Sequence, residues 1–312
     1  MNVYEFFAKL HFSHLQEFSI SHLIITLTAG ENWQAFEKII HFFSAAIQAT
    51  LSYKSSTNII IMKTVKFLTL ALLLALSTFN LYAQKTDKPT IILVHGVWAD
   101  GSSWSNQISA LQAKGYPVIA VQNPITSLAD DVTATKHAIA HAKGNVILVG
   151  HSWGGFVITQ AGNDPKVVGL VYVAAFAPEL GESIANLSTK APAVTLSNYF
   201  EPSNGFLYLS REGVKTAFAQ DLDEKQQNMI FATQEPAAQG VFAEASAEPA
   251  WKTKASWYIV AKSDKAIHPD LERLMAKRIN AKTTEIESSH VPMLSHPNEV
   301  TRVIEEAANS AK

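Results

Sequence analysis

The 312-residue sequence has no cysteine, which excludes disulfides, thiolate catalysis and cysteine-based metal sites and suits an oxidising compartment. It also lacks a charge excess, with 25 Lys and Arg against 27 Asp and Glu and a formal net charge of −2. Nothing electrostatic therefore recommends nucleic acid or an anionic membrane surface as a partner. Internal repeats, low-complexity tracts and long charge runs are missing as well. The first 61 residues have no proline and carry no motif that can be tied to chemistry, although they are rich in Phe and His.

What is present begins with "MKTVKFLTLALLLALSTFNLYAQ", Met62 to Gln84. Lys63 and Lys66 make a basic opening, Phe67 to Leu76 an apolar run, and Ala83 a small residue at a cleavage position. Ser77, Thr78 and Asn80 interrupt the run before it reaches the roughly 20 apolar residues of a comfortable membrane span. The segment reads as a signal peptide over 62–83, against an uncleaved anchor (Leu81 is large for its place) or a buried helix. The 61 residues before it read as a start assigned too far upstream, in preference to a helical extension on the cytoplasmic side of an anchor. The expected location is periplasmic or secreted, or membrane-anchored if the segment stays.

From Gln84 onward the chain reads as one α/β domain over 84–312. Apolar runs at "TIILVHG", "YPVIAV", "NVILVGHS", "KVVGLVYVAAF" and "SWYIVAK" alternate with helical stretches from Ser102 and from Leu128, each closed by a glycine. This predicts an open, mostly parallel wound sheet with helices on both faces. Between about 178 and 251 the alternation breaks into short helical and aromatic segments, and an insertion there suggests a lid over the carboxyl ends of the strands.

Gly150-His151-Ser152-Trp153-Gly154 matches G-x-S-x-G, a weak pattern by itself. Its setting strengthens it: a strand, "NVILV", leads in and a helix, "GGFVITQAG", leads out, as a nucleophile elbow requires. Glycines two before and two after the serine leave room for the sharp turn. A serine needs a base and the base an orienting acid. His290, in a loop after the strand-like "TTEIE", is the preferred base, and His296 before Pro297 reads as opening the last helix. Asp264, directly after "SWYIVAK", is the preferred acid; Glu179 after "VYVAAFAP" is the alternative, and Asp270 reads as opening a helix. The order Ser152, Asp264, His290 is that of α/β-hydrolases. His95 and His151 read as packing or backbone-bonding residues. His137 and His141 stand four apart on a predicted helix, but with no third ligand they read as surface residues, so no metal is expected.

Five blocks, "ILVHGVWADGSSW", "VGHSWGG", "AAFAPELGES", "AKSDKAI" and "SSHVPMLSHP", resemble the α/β-hydrolase group that includes plant methyl esterases and hydroxynitrile lyases, over nearly all of residues 88–312. The resemblance implies Ser152 as nucleophile, His290 as base, Asp264 as orienter, and an oxyanion hole from the backbone N–H groups of Val97 and Trp153. It implies a cofactor-independent serine esterase acting on small-molecule esters. Trp98, Phe176, Tyr199, Phe200, Phe206 and Tyr208 are candidates for an apolar pocket, each equally at home in ordinary packing. Two other readings stand beside it: a small-molecule receptor on the same fold, and a hydroxynitrile lyase. Resembling lyases carry threonine where this chain has Gly96 and lysine where it has Val291. Resembling dehalogenases and epoxide hydrolases carry aspartate in place of Ser152.

Overall fold

The computed structural model describes residues 88–310; the expected extension (1–61) and signal segment (62–83) lie outside them. No described helix is long and apolar enough to cross a membrane. The apolar runs become β1 (Thr90–Val94), β2 (Val118–Val121), β3 (Val146–Ser152) and β4 (Val167–Ala175). Every residue of β1 and β3 is buried, which accounts for their lack of polar alternation: helices cover both faces. The predicted helices appear as α1 (Ser105–Ala113), preceded by a single tight turn at Gly101–Trp104, and α2 (Leu128–His141). Gly115 and Gly144, which close them, take φ of 78° and 70°, a left-handed stop that glycine adopts without steric cost. Helix α3 (Gly154–Ala161) follows β3 directly.

An insertion separates β4 from β8 (Ala255–Ala261). It contains α4 (Ile184–Leu187), α5 (Arg211–Gly213), which runs into a wider turn over Val214–Phe218, and α6 (Glu224–Thr233). It also holds a feature absent from the sequence expectation, a three-stranded antiparallel sheet of β5 (Phe200–Ser203), β6 (Phe206–Leu209) and β7 (Ala237–Ala238). Asn204 and Gly205, at φ 48° and 84°, form the two-residue turn of its hairpin. The chain finishes with α7 (Pro269–Arg278), β9 (Lys282–Ile286), α8 (Pro292–Ser295) and α9 (Pro297–Ser310).

The six main strands are all parallel, in the order β2-β1-β3-β4-β8-β9. From β1 the chain moves outward to β2, then returns to the other side of β1 as β3. The direction of winding therefore reverses between β1 and β3, and the crevice beyond their carboxyl ends is where such sheets bind ligands. His95-Gly96-Val97 and Ser152 occupy those two ends.

Candidate active site

Ser152 ends β3 with φ 53°, a left-handed conformation imposed on a residue with a side chain. The strain is held by close packing, because the glycines around it leave no room to relax. A Cβ on Gly150 would stand 2.5 Å from the Gly154 carbonyl oxygen, and one on Gly154 would stand 2.5 Å from that of Val94. The turn is the sharp strand-to-helix elbow that lifts a side chain off the sheet edge. Ser152 is nearly buried and opens on a cavity of about 460 Å³ that His290, Val97 and Trp153 also line.

His290 lies in the loop between β9 and α8 and is 1% exposed. Its Nδ1 stands 2.5 Å from Asp264 Oδ2, and the acid, placed by the loop after β8, is buried with it. Asp264 Oδ1 accepts the backbone N–H groups of Ala266 (2.6 Å) and Ile267 (3.0 Å), so the carboxylate is fixed by its own loop. The His290 ring is packed between Phe218 from the insertion (centroids 5.1 Å apart) and His151 (4.8 Å). With Nδ1 committed to Asp264, Nε2 is the nitrogen left for chemistry.

The two neighbouring histidines hold backbone, as expected of them. His151 Nε2–H donates to the His290 carbonyl at 2.8 Å; burial pushes this imidazole well below the usual histidine range, so it is neutral. His95 is held neutral by burial too. Its Nε2 accepts the Asn123 N–H at 2.9 Å, which leaves Nδ1–H to donate to the Gly96 carbonyl at 2.9 Å. In a trans peptide the C=O and N–H point in opposite directions. Fixing the Gly96 carbonyl therefore turns the Val97 N–H away from the His95 ring. Among the described residues, no acceptor takes the N–H of Val97 or Trp153.

Trp153 is positioned by a residue that sequence reasoning missed. Asp131, wholly buried on α2, accepts the Trp153 indole N–H at 2.7 Å through one oxygen and the Ile125 N–H at 2.9 Å through the other. Burial pushes its carboxyl up to about 6.

Of the proposed pocket aromatics, Trp98, Phe176 and Phe200 line the cavity, together with Phe242, which was not foreseen. Trp98 packs with its ring tilted against Phe200 (centroids 4.8 Å apart) and Phe242 (6.1 Å), and its indole N–H donates to the Leu207 carbonyl, joining the loop after β1 to the insertion. Tyr199, Phe206 and Tyr208 are not among the lining residues. Strand alternation accounts for Tyr208: it is 39% exposed between half-buried Leu207 and buried Leu209. Glu179 lies 3.6 Å from Lys252, on the insertion side, whereas the carboxylate bonded to His290 is that of Asp264. Asp270 pairs with Arg273 in the first turn of α7, and His296 immediately precedes α9. His137 and His141 are exposed on α2, and no cluster of three metal-ligating side chains occurs among the described residues.

A parallel wound sheet with a strained serine at the end of its third strand, sharing a cavity with a histidine backed by a buried aspartate, defines the α/β-hydrolase class. The chain belongs to the alpha/beta hydrolase family, whose sequence profile matches residues 91–303. It is 26% identical over 247 residues to the alpha/beta hydrolase nvfD of Aspergillus novofumigatus, a match covering 72% of this chain and 98% of that protein. It is 35% identical over 123 residues to a carbendazim hydrolyzing esterase of Nocardioides sp., covering 35% of this chain and 51% of the relative. Its fold superposes on that of a pyrethroid hydrolase from Sphingobium faniae JZ-2 with a TM-score of 0.61 at 20% identity, over 71% of this chain and 98% of the other.

Proposed function

We propose that the protein is a serine hydrolase that cleaves carboxylic esters of small, neutral molecules. The observation that carries the reading is the strained Ser152 sharing one cavity with His290, whose Nδ1 is bonded to buried Asp264. In this mechanism His290 Nε2 takes the Ser152 hydroxyl proton as Oγ attacks the carbonyl carbon. The tetrahedral oxyanion is met by the N–H groups of Val97 and Trp153, at the start of α3, and needs no rearrangement to be stabilised. Collapse expels the alcohol, which takes the proton from His290 and leaves an acyl-serine. Water, deprotonated by the same imidazole, then releases the acid. No residue lining the cavity is Lys, Arg, Asp or Glu, so apart from its two histidines it offers no side-chain charge to a charged acyl or alcohol group. The esterase name of the Nocardioides relative supports the bond class.

The test is labelling with a fluorophosphonate beside turnover of p-nitrophenyl acetate. Ser152→Ala is expected to abolish both, and His290→Ala nearly so, since the members of such a set act as one unit. Labelling of Ser152 without ester turnover would favour the receptor reading, and turnover that survives Ser152→Ala would refute the mechanism.

A further inference from the structure

Behind Asp264 lies a second buried carboxyl with no part in the mechanism above. Glu272, on α7, is fully buried. Its Oε2 accepts one bond, from the Ala261 N–H at 3.0 Å, while Oε1 meets no donor. Ala261, whose N–H Glu272 holds, also accepts the Asp264 N–H through its carbonyl at 3.2 Å, so both carboxyl-bearing residues are anchored at one tight turn, and the charge of the Asp264 carboxylate acts on Glu272 there. Two ionised carboxylates have only acceptors to offer each other, so their approach is favourable only if one of them carries a proton. Donor count decides which. Asp264 already receives three N–H groups, from Ala266, Ile267 and His290, whereas Glu272 receives one.

We propose that Glu272 is a neutral, proton-bearing positioning residue whose O–H donates to Asp264 and supports it from behind, as a fourth member of the Ser152–His290–Asp264 set. The inference rests on the triad reading. Burial and the adjacent Asp264 charge both push the Glu272 carboxyl well above the usual range, in keeping with the donor count. The other groups nearby do not supply the missing proton. The Tyr258 hydroxyl, on β8, is committed to the Ala175 carbonyl. Arg273, the next residue on α7, turns outward to Glu285 and Asp270. A neutral donor at this point gives Asp264 a fourth bond while adding no second negative charge beside His290.

The experiment compares full-length wild type, Glu272→Gln and Glu272→Leu. The pH profile of kcat/KM for p-nitrophenyl acetate is measured with the infrared carboxyl band at pH 8, where Asp131 is ionised. Glutamine keeps an uncharged N–H donor, so Glu272→Gln is expected to retain kcat within about twofold and an acid limb at the same pH. Leucine removes the donor, and kcat is expected to fall roughly tenfold, the equivalent of one bond to a charged group, with KM little changed and the acid limb moved to higher pH. The wild type should carry a protonated-carboxyl stretch that Glu272→Gln lacks. An acid limb that moves to lower pH in Glu272→Gln means a charge was removed and overturns the proposal. So does absence of the band in wild type, or a Glu272→Leu profile equal to wild type. If Glu272→Leu does not fold, the glutamine profile and the band still decide. If the wild type is not labelled by a fluorophosphonate, the triad reading fails, while the band still reports separately whether Glu272 is neutral.

Discussion

Asp131→Asn is expected to remove a loss of stability that sets in between about pH 4 and pH 7, while weakening catalysis. In the folded chain burial raises the Asp131 carboxyl from 3.8 to about 6, although two N–H donors pull the other way. Between those two pH values the native state therefore binds more protons than the unfolded state, and stability falls as pH rises through the interval. The contribution of a neutral Asp131 is fully present below about pH 4 and lost above pH 6. At 1.36 kcal/mol per tenfold change, the full loss comes to about 3 kcal/mol. Asparagine cannot ionise, although its single amide oxygen can serve only one of the two N–H donors that Asp131 accepts, a loss that is the same at every pH. The stability difference between Asp131→Asn and wild type should therefore grow in the variant's favour by about 2 to 3 kcal/mol from pH 4 to pH 7. Guanidinium unfolding at a series of pH values measures it, and subtracting the two curves removes every other titrating group. Catalysis should move the opposite way, because the Trp153 indole loses a charged acceptor beside the proposed oxyanion amide; a several-fold fall in kcat is expected. A difference that stays flat with pH would refute the argument.

Three further outcomes are expected. Asp264→Asn should cost orders of magnitude in kcat, whereas Glu179→Gln, whose partner is half-exposed Lys252, should leave it within about twofold; the reverse pattern would mean the acid is misassigned. We propose that residues 62–83 are a cleaved export signal and that a chain from Gln84 to Lys312 folds with full activity; insolubility of that chain beside an active full-length protein would show that the preceding residues belong to the fold. Cyanide release from mandelonitrile or acetone cyanohydrin should not exceed the uncatalysed background while p-nitrophenyl acetate is hydrolysed by the same preparation. The lyase threonine is not merely absent but has no space, since a Cβ on Gly96 would stand 2.6 Å from that of Ser152, and buried Val291 supplies no cation; Ser152-dependent cyanide release without ester turnover would overturn this.

What the sequence made legible follows from how each feature is written in it. Five of the six parallel strands appear as apolar runs because they are covered by helices, and the elbow and the acid appear because each sits immediately after one of them; the edge strand β9 before the base is polar and largely exposed. The small sheet of the insertion was equally written, in Asn204-Gly205 between Phe200–Ser203 and Phe206–Leu209, and was obscured by the helical and aromatic character of its surroundings. Asp131 and Glu272 are a different case. Asp130 and Asp131 are neighbours in the first turn of α2, where acids ordinarily cap a helix end in solvent. Asp130 does so, accepting from Thr126 and Ser127, while Asp131 turns inward to the Trp153 indole. Glu272 stands beside Leu271 on a helix whose periodicity gives no sign that an acid has joined the buried face. A hydrophobic pattern assigns every acid to solvent, so it cannot register the few whose burial is paid for by partners far along the chain. Both such acids lie directly behind the proposed catalytic groups, one against Trp153 and one against Asp264. Both are therefore residues that only the folded arrangement brings into view.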